Sequence, residues 1–200
     1  MCMKLENCFP TPLLMAAFSI TLASEIRGQT YVVDAQLMGQ SDAGSYDYTL
    51  TLNNRAASTT QIGTFWFAWT ASGLDLMLSA PTATQTPAGW SASVLGGPYT
   101  QNGYGYYDGY SIEFTTTTGY LNPGSSLTFN FSSPDSPTMM SGNNFHFHTA
   151  IETSWVYSGA AFSDAGNQFL VQTVPEPSGL GLLLLVGSGL MLGSSRRRGW

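Results

Sequence analysis

Hydrophobic and polar residues alternate with a period of two along most of this chain. Tyr48, Leu50 and Leu52 interleave with Asp47, Thr49 and Thr51, and Ile112 and Phe114 with Ser111 and Glu113. Leu127, Phe129 and Phe131 interleave with Ser126, Thr128 and Asn130. Phe65, Phe67 and Trp69 define a further face, and Phe145 and Phe147 another, set against Asn144, His146 and His148. Successive side chains of an extended strand point to opposite faces, so each segment predicts a half-buried antiparallel strand. Turn-forming residues separate them: Asn53-Asn54, Ser72-Gly73, Pro87-Ala88-Gly89, Gly96-Gly97-Pro98, Asn122-Pro123-Gly124 and Ser141-Gly142-Asn143-Asn144. Strands are expected near 30–38, 45–53, 61–69, 74–79, 90–95, 109–117, 125–132, 143–151, 153–158 and 167–173. No stretch between 30 and 173 carries a helical period, and no internal repeat appears. This pattern predicts one all-β domain over residues 29–173, an antiparallel β-sandwich.

The two ends follow a different pattern. Near the start, Lys4 precedes an apolar stretch from Leu13 to Leu22, and Thr21-Leu22-Ala23 places small residues around a cleavage point after Ala23. That order predicts an export signal over residues 1–23. At the other end, Val174-Pro175-Glu176-Pro177-Ser178 leads into an uncharged apolar run from Gly179 to Gly193. The run closes on Ser194-Ser195-Arg196-Arg197-Arg198. As a helix, its 15 residues would reach roughly 23 Å, short of the ~30 Å of a hydrocarbon core. Counting Ser194 and Ser195, and letting the arginines snorkel, makes 179–195 a short transmembrane helix. Arg196, Arg197 and Arg198 would hold its end on the cytoplasmic side.

The Pro-Glu-Pro motif, apolar helix and arginine cluster together resemble the PEP-CTERM sorting signal of Gram-negative bacteria. The resemblance covers residues 174–200 and nothing upstream. It implies that Val174, Pro175, Glu176 and Pro177 form the recognition element for an exosortase, a membrane protease-transpeptidase that cuts near this motif. It further implies an inner-membrane-anchored intermediate in contact with lipid, then a cell-surface or matrix destination linked to exopolysaccharide and biofilm. The chain is then the substrate of that enzyme and not itself one. A second, shorter resemblance lies in Leu121-Asn122-Pro123-Gly124-Ser125-Ser126-Leu127-Thr128-Phe129-Asn130-Phe131. It looks like a corner of immunoglobulin-like bacterial surface domains, which implies an immunoglobulin-like or jelly-roll-type sandwich.

Composition narrows the function classes. Charged residues make up 9% of the chain, against about 25% in an average soluble protein. Between Gln29 and Thr173 the one basic residue, Arg55, faces nine acids, a net of −8. Such a surface repels nucleic acid, whose binding needs Lys and Arg to displace counterions. Cys2 and Cys8 both fall in the export segment, so the domain has no thiolate for a metal or a disulfide.

Candidate chemistry is sparse, and no catalytic site, metal or cofactor is expected. His146 and His148 would share one strand face, with Glu152, Asp164 or Asp135 as further ligands, but they read more simply as solvent-facing partners of Phe145 and Phe147 in the core. Asp108 and Glu113 are acids whose separation the sequence does not fix. Asp164-Ala165-Gly166-Asn167 reads as a β-turn rather than a calcium loop. Trp66, Trp69, Trp90 and Trp155 read as core or edge aromatics. The strongest binding feature is the Gly-Tyr stretch with Tyr99, Tyr104, Tyr106, Tyr107 and Tyr110. Tyrosines offer flat apolar faces with polar tips, which suits sugar rings. Tyr104, Tyr106, Tyr107 and Tyr110 are therefore the candidate glycan-binding residues of a lectin-like alternative, with extracellular polysaccharide as the partner.

Overall fold

The computed structural model describes residues 28–100 and 106–174. The proposed export segment 1–23, Tyr104, Pro175 to Pro177, the helix 179–195 and Arg196 to Arg198 lie outside the described residues. Among the described residues no helix is long and apolar enough to cross a membrane.

Alternation builds the first sheet directly. Strands β1 (Val33–Asp42), β2 (Ser45–Asn54) and β7 (Ser125–Ser133) lie side by side, and their registers stack inward residues in rows. Ala35 faces Leu52 and Leu127, Leu37 faces Leu50 and Phe129, and Gly39 faces Tyr48 and Phe131. A Cβ on Gly39 would come within 2.7 Å of the Tyr48 ring and of Pro137, so only glycine leaves room there for Tyr48 to lie flat. The Tyr48 hydroxyl then donates to the Asp135 carbonyl at 2.5 Å. The edges are β4 (Ala83–Gln85) on β7 and β10 (Gln172–Val174) on β1, the last pair parallel.

The second sheet has the order β5-β6-β3-β8-β9, formed by β5 (Trp90–Thr100), β6 (Tyr106–Thr116), β3 (Thr64–Phe67), β8 (Thr153–Tyr157) and β9 (Asn167–Leu170). Its inward row runs Ala92, Phe114, Phe65, Val156. The two sheets meet ring against ring. Phe129 lies 4.4 Å from Phe114, 5.8 Å from Phe65 and edge-on to Trp90 at 5.3 Å, and Phe67 meets Phe131 at 5.5 Å. Val171 carries the chain from one sheet to the other. It is buried, its N–H donates to the Glu152 carbonyl, and β9 ends before it while β10 begins after it. The expected strand 167–173 is thus two strands in different sheets. Among the paired strands of the described residues, β1–β10 is the parallel pair.

Two expected strands do not form. Residues 74–79 make only single bridges, Trp69 to Asp75 and Met77 to Tyr110. The buried Asp135 carboxylate accepts the N–H groups of Leu78 and Ser79 at 3.0 and 2.9 Å, replacing the ladder a strand would need. Residues 143–151 turn instead of extending. The buried Asn144 side chain accepts the N–H groups of His146 and Phe147 and donates to the Leu76 carbonyl. Short amide side chains satisfy the backbone locally in this way and compete with sheet formation. His148 then has a left-handed φ of 53°. Phe145, expected in the core, is 76% exposed, and only Phe147 packs against the core. Strand 61–69 shortens to β3 because Ala68 (φ 57°) turns the chain. The helical turn α1 (Pro137–Met140), capped by the Ser136 hydroxyl, and the exposed three-residue β4 carry no periodic signal to detect.

Replacing Phe129 with Ala should remove about 3–5 kcal/mol of stability, because its ring is fully buried between the sheets. Urea unfolding should show a lower midpoint with an unchanged slope; a loss below 1 kcal/mol would contradict this packing.

Candidate functional site

Tyr99, Tyr106, Tyr107 and Tyr110 lie in the β5–β6 pair. Tyr106 pairs with Thr100 and Tyr107 with Tyr99, so both lie in the ladder rather than in a loop. Tyr110 is half-buried, packs against the core, and exchanges backbone hydrogen bonds with Met77 at 2.8 and 3.0 Å. It therefore anchors the hairpin to the sandwich. Gly96 (φ 95°) faces Tyr110 in this ladder, and a Cβ there would strike the Gly109 carbonyl at 2.0 Å.

The outer face of the first sheet is polar in three rows set by register. Gln172, Gln36, Thr51 and Thr128 form one row; Val174, Met38, Thr49, Asn130 and Gln85 a second; Gln40, Asp47, Ser132 and Ala83 a third. The Ser132 hydroxyl donates to Asp47 at 2.6 Å, and Thr51 and Thr128 share a contact of 3.4 Å. Thr49, Gln85, Asn130 and Ser132 line a shallow groove of about 460 Å³ beside β4. Amides and hydroxyls without cations can exchange hydrogen bonds with a neutral, hydroxyl-rich ligand.

The outer face of the second sheet is aromatic. Trp66 points outward because Phe65 and Phe67 point inward, and the left-handed Ala68 folds Trp69 back onto it. Their rings stack at 4.1 Å and 11°, so Trp69 does not share the face of Phe65 and Phe67 as its spacing predicts. Trp155 stands edge-on to Trp69 at 6.3 Å and lies 6.1 Å from Tyr157. Phe162, in the connection from β8 to β9, covers Trp66, Trp69 and Tyr157 at 5.5 to 6.0 Å. Trp90 is a core residue, as its pattern predicts, with its indole N–H on the Gly119 carbonyl at 2.7 Å. The separate indole cluster escapes a sequence reading that takes these tryptophans one by one as core or edge aromatics. The signal was present in the parity of Trp66 against Phe65 and Phe67.

Acids border this cluster. The Trp66 indole donates to the Ser111 hydroxyl at 2.9 Å, which donates to Asp75 at 2.5 Å. Burial raises the Asp75 carboxyl above its usual value despite that hydrogen bond, and burial likewise raises Glu113, which faces Trp66 from β6. Asp164 moves the other way. Burial alone would raise it, but hydrogen bonds from Ser158, Tyr31 and Gly166 outweigh burial and lower it. The same contact, together with burial, drives the Tyr31 hydroxyl upward. Asp164 thus caps a turn, accepting Gly166 N–H at 2.8 Å and the Tyr31 hydroxyl at 2.5 Å. Among the described residues no three His, Cys, Asp or Glu side chains come together, and His146 and His148 lie exposed on the turn after Asn144. Asp108 is described only through its backbone pairing with Pro98, so its relation to Glu113 lies outside the described side chains.

No protein-family model matches the chain, and no curated protein matches it. Among solved structures, a family IIIa CBD from Clostridium cellulolyticum is similar at 14% identity, over 74% of this chain and 100% of that one, with a TM-score of 0.35. A biomass-sensing module of Clostridium thermocellum, described as resembling a family 3 carbohydrate-binding module, is similar at 15% identity over 65% and 95%, with a TM-score of 0.34. A GH20 exo-β-N-acetylglucosaminidase from Vibrio harveyi is similar at 13% identity and a TM-score of 0.34; 72% of this chain spans 18% of that enzyme. At these scores the likenesses carry no argument about what this chain does.

Because the raised Asp75 favours its protonated form, its contribution to stability is present at low pH and is lost as pH rises through its folded-state value. Asp75→Asn should therefore raise the melting temperature at pH 7 and change it little at pH 3. A variant equally shifted at both pH values, or destabilised at pH 7, would contradict this.

Proposed function

We propose that this chain is an exported, non-enzymatic β-sandwich that an exosortase-like membrane protease-transpeptidase sorts to the cell surface or extracellular matrix, where it contacts polysaccharide. The observation that carries the sorting step is where the fold meets the tail. Edge strand β10 ends at Val174, paired with Met38, and the next residue is Pro175, which has no N–H to extend the ladder. The Pro-Glu-Pro motif would then emerge directly from the sheet edge. The apolar run 179–195 would hold the chain in the inner membrane, with Arg196, Arg197 and Arg198 as the stop, until cleavage.

Cells with and without the sorting protease should differ in the mature termini read by mass spectrometry. With it, the surface fraction should hold a chain lacking residues 1–23 and trimmed near Pro175 to Pro177. Without it, the uncut form should stay with the inner membrane. Intact polypeptide free in the cytosol would overturn the reading.

A lectin-like role is supported by a separate observation, the amide and hydroxyl rows on the first sheet, in which Asp47 is the one charged member. The tyrosine hairpin would add apolar sugar contacts through Tyr104, Tyr106 and Tyr107, with Tyr110 fixing its position. Changing Tyr104, Tyr106 and Tyr107 together to Ala should lower retention on the native matrix without changing the melting temperature. Unchanged retention would remove the hairpin from the contact.

A further inference from the structure

The aromatic face of the second sheet has a layered construction. Trp66, Trp69 and Tyr157 form a bed that is 8%, 4% and 2% exposed, and Phe162 lies over it at 64% exposure. An exposed phenylalanine in a loop is ordinarily free to move. This one is held. Phe162 has a left-handed φ of 62° and meets Trp66 and Trp69 edge-on at 6.0 and 5.7 Å. Its loop is tied on both sides. Thr64 donates to the Gly159 carbonyl at 2.6 Å, Ser163 N–H donates to the Ala160 carbonyl, and Asp164 accepts Tyr31, Ser158 and Gly166. The neighbours Gly159, Ala160, Ala161 and Ser163 are small, so no large side chain within the loop shields the ring. Left-handed backbone at a bulky residue persists where the surroundings over-determine it, and such outliers gather at ligand clamps. A second irregularity lies in the same cluster: the indole N–H of the half-buried Trp155 is enclosed without an acceptor.

The rim of this face is polar. Register places Gln168 beside Trp155 on β9, and Glu113 and then Ser93 beside Trp66 on β6 and β5. An amide, a carboxylate and a hydroxyl thus extend across the sheet in line with two indoles. Flat apolar rings edged by hydrogen-bonding groups match the apolar face and equatorial hydroxyls of a pyranose. The domain's net charge of −8 between Gln29 and Thr173 disfavours an acidic polymer, and a rim with a single carboxylate, Glu113, between an amide and a hydroxyl suits a neutral polymer better than a cationic one.

We propose that Phe162 and Trp155 form a sugar-stacking subsite for neutral pyranose polysaccharide, on the sheet opposite the polar rows; this rests on the polysaccharide-contact reading above. Phe162 stacks on the ring, the buried indoles fix its angle, and Gln168 and Glu113 take the hydroxyls.

The test uses the full chain, with hydroxyethylcellulose as the probe, followed by affinity electrophoresis and by tryptophan emission. Binding should shift the emission of the partly exposed Trp155 to the blue. Phe162→Ala should weaken binding by roughly three- to tenfold, as expected for loss of one stacking contact. Phe162→Trp should restore it, and Phe162→Ala should remain folded with a modest fall in melting temperature, because the ring is mostly exposed but touches Trp66, Trp69 and Tyr157. Parent-like binding by Phe162→Ala would overturn this subsite while leaving polysaccharide contact elsewhere intact. If the parent itself ignored hydroxyethylcellulose yet was retained on its native matrix, a subsite that stacks neutral pyranose chains would fall; loss of both would sink the polysaccharide reading as well.

Discussion

Everything displayed on this protein's surface depends on the contact between Phe129 of the first sheet and Phe65 and Phe114 of the second. The described domain contains no cysteine, so no covalent staple holds the sheets together. Each sheet alone would expose its inner rows to water, and burial of those rows against each other is the dominant favourable term. Gly39 and Tyr48 close one end of the interface, and Trp90 seals Phe129 from the side.

Because strand residues alternate, fixing the inner faces fixes the outer ones. The inward phase of β1, β2 and β7 leaves glutamine, threonine, asparagine and serine pointing out, a surface that stays hydrated with almost no charge. The inward phase of β3 and β8 leaves Trp66, Trp155 and Tyr157 pointing out, and the chain covers Trp66 and Tyr157 with Phe162. The sandwich therefore carries two chemically distinct faces, one polar and one aromatic, on opposite sides of a single core. Val171 joins them by passing the chain from the second sheet to the first, which brings β10 to the edge beside β1.

The strands with clean alternation were legible: β1, β2, β5, β6, β7 and β8 overlap the expected segments, and the Asn122-Pro123-Gly124 turn sits before β7, with Gly124 at φ 81°. The pattern misled where a side chain took over the backbone's hydrogen bonds. Asn144 turned the Phe-His-Phe-His segment into a loop, and Asp135 held 78–79 without a strand partner. It also misled at Ala68, where one left-handed residue moved Trp69 to the other face. Of the tyrosine candidates, Tyr110 exchanges backbone hydrogen bonds with Met77, a contact across 33 positions that no local pattern encodes. The indole bed was written in strand parity, but its Phe162 cover arises from a tertiary loop that alternation does not describe.

The central claim is that one shared aromatic core makes the two faces a single cooperative unit. Native-state hydrogen exchange on the full chain tests it most directly. The account predicts that the amides of Phe65, Phe114 and Phe129 exchange together, only through global unfolding, and equally with or without reductant. Exchange of the Phe65 and Phe114 amides through a smaller opening that leaves Phe129 protected would show that the sheets come apart independently, and would contradict it.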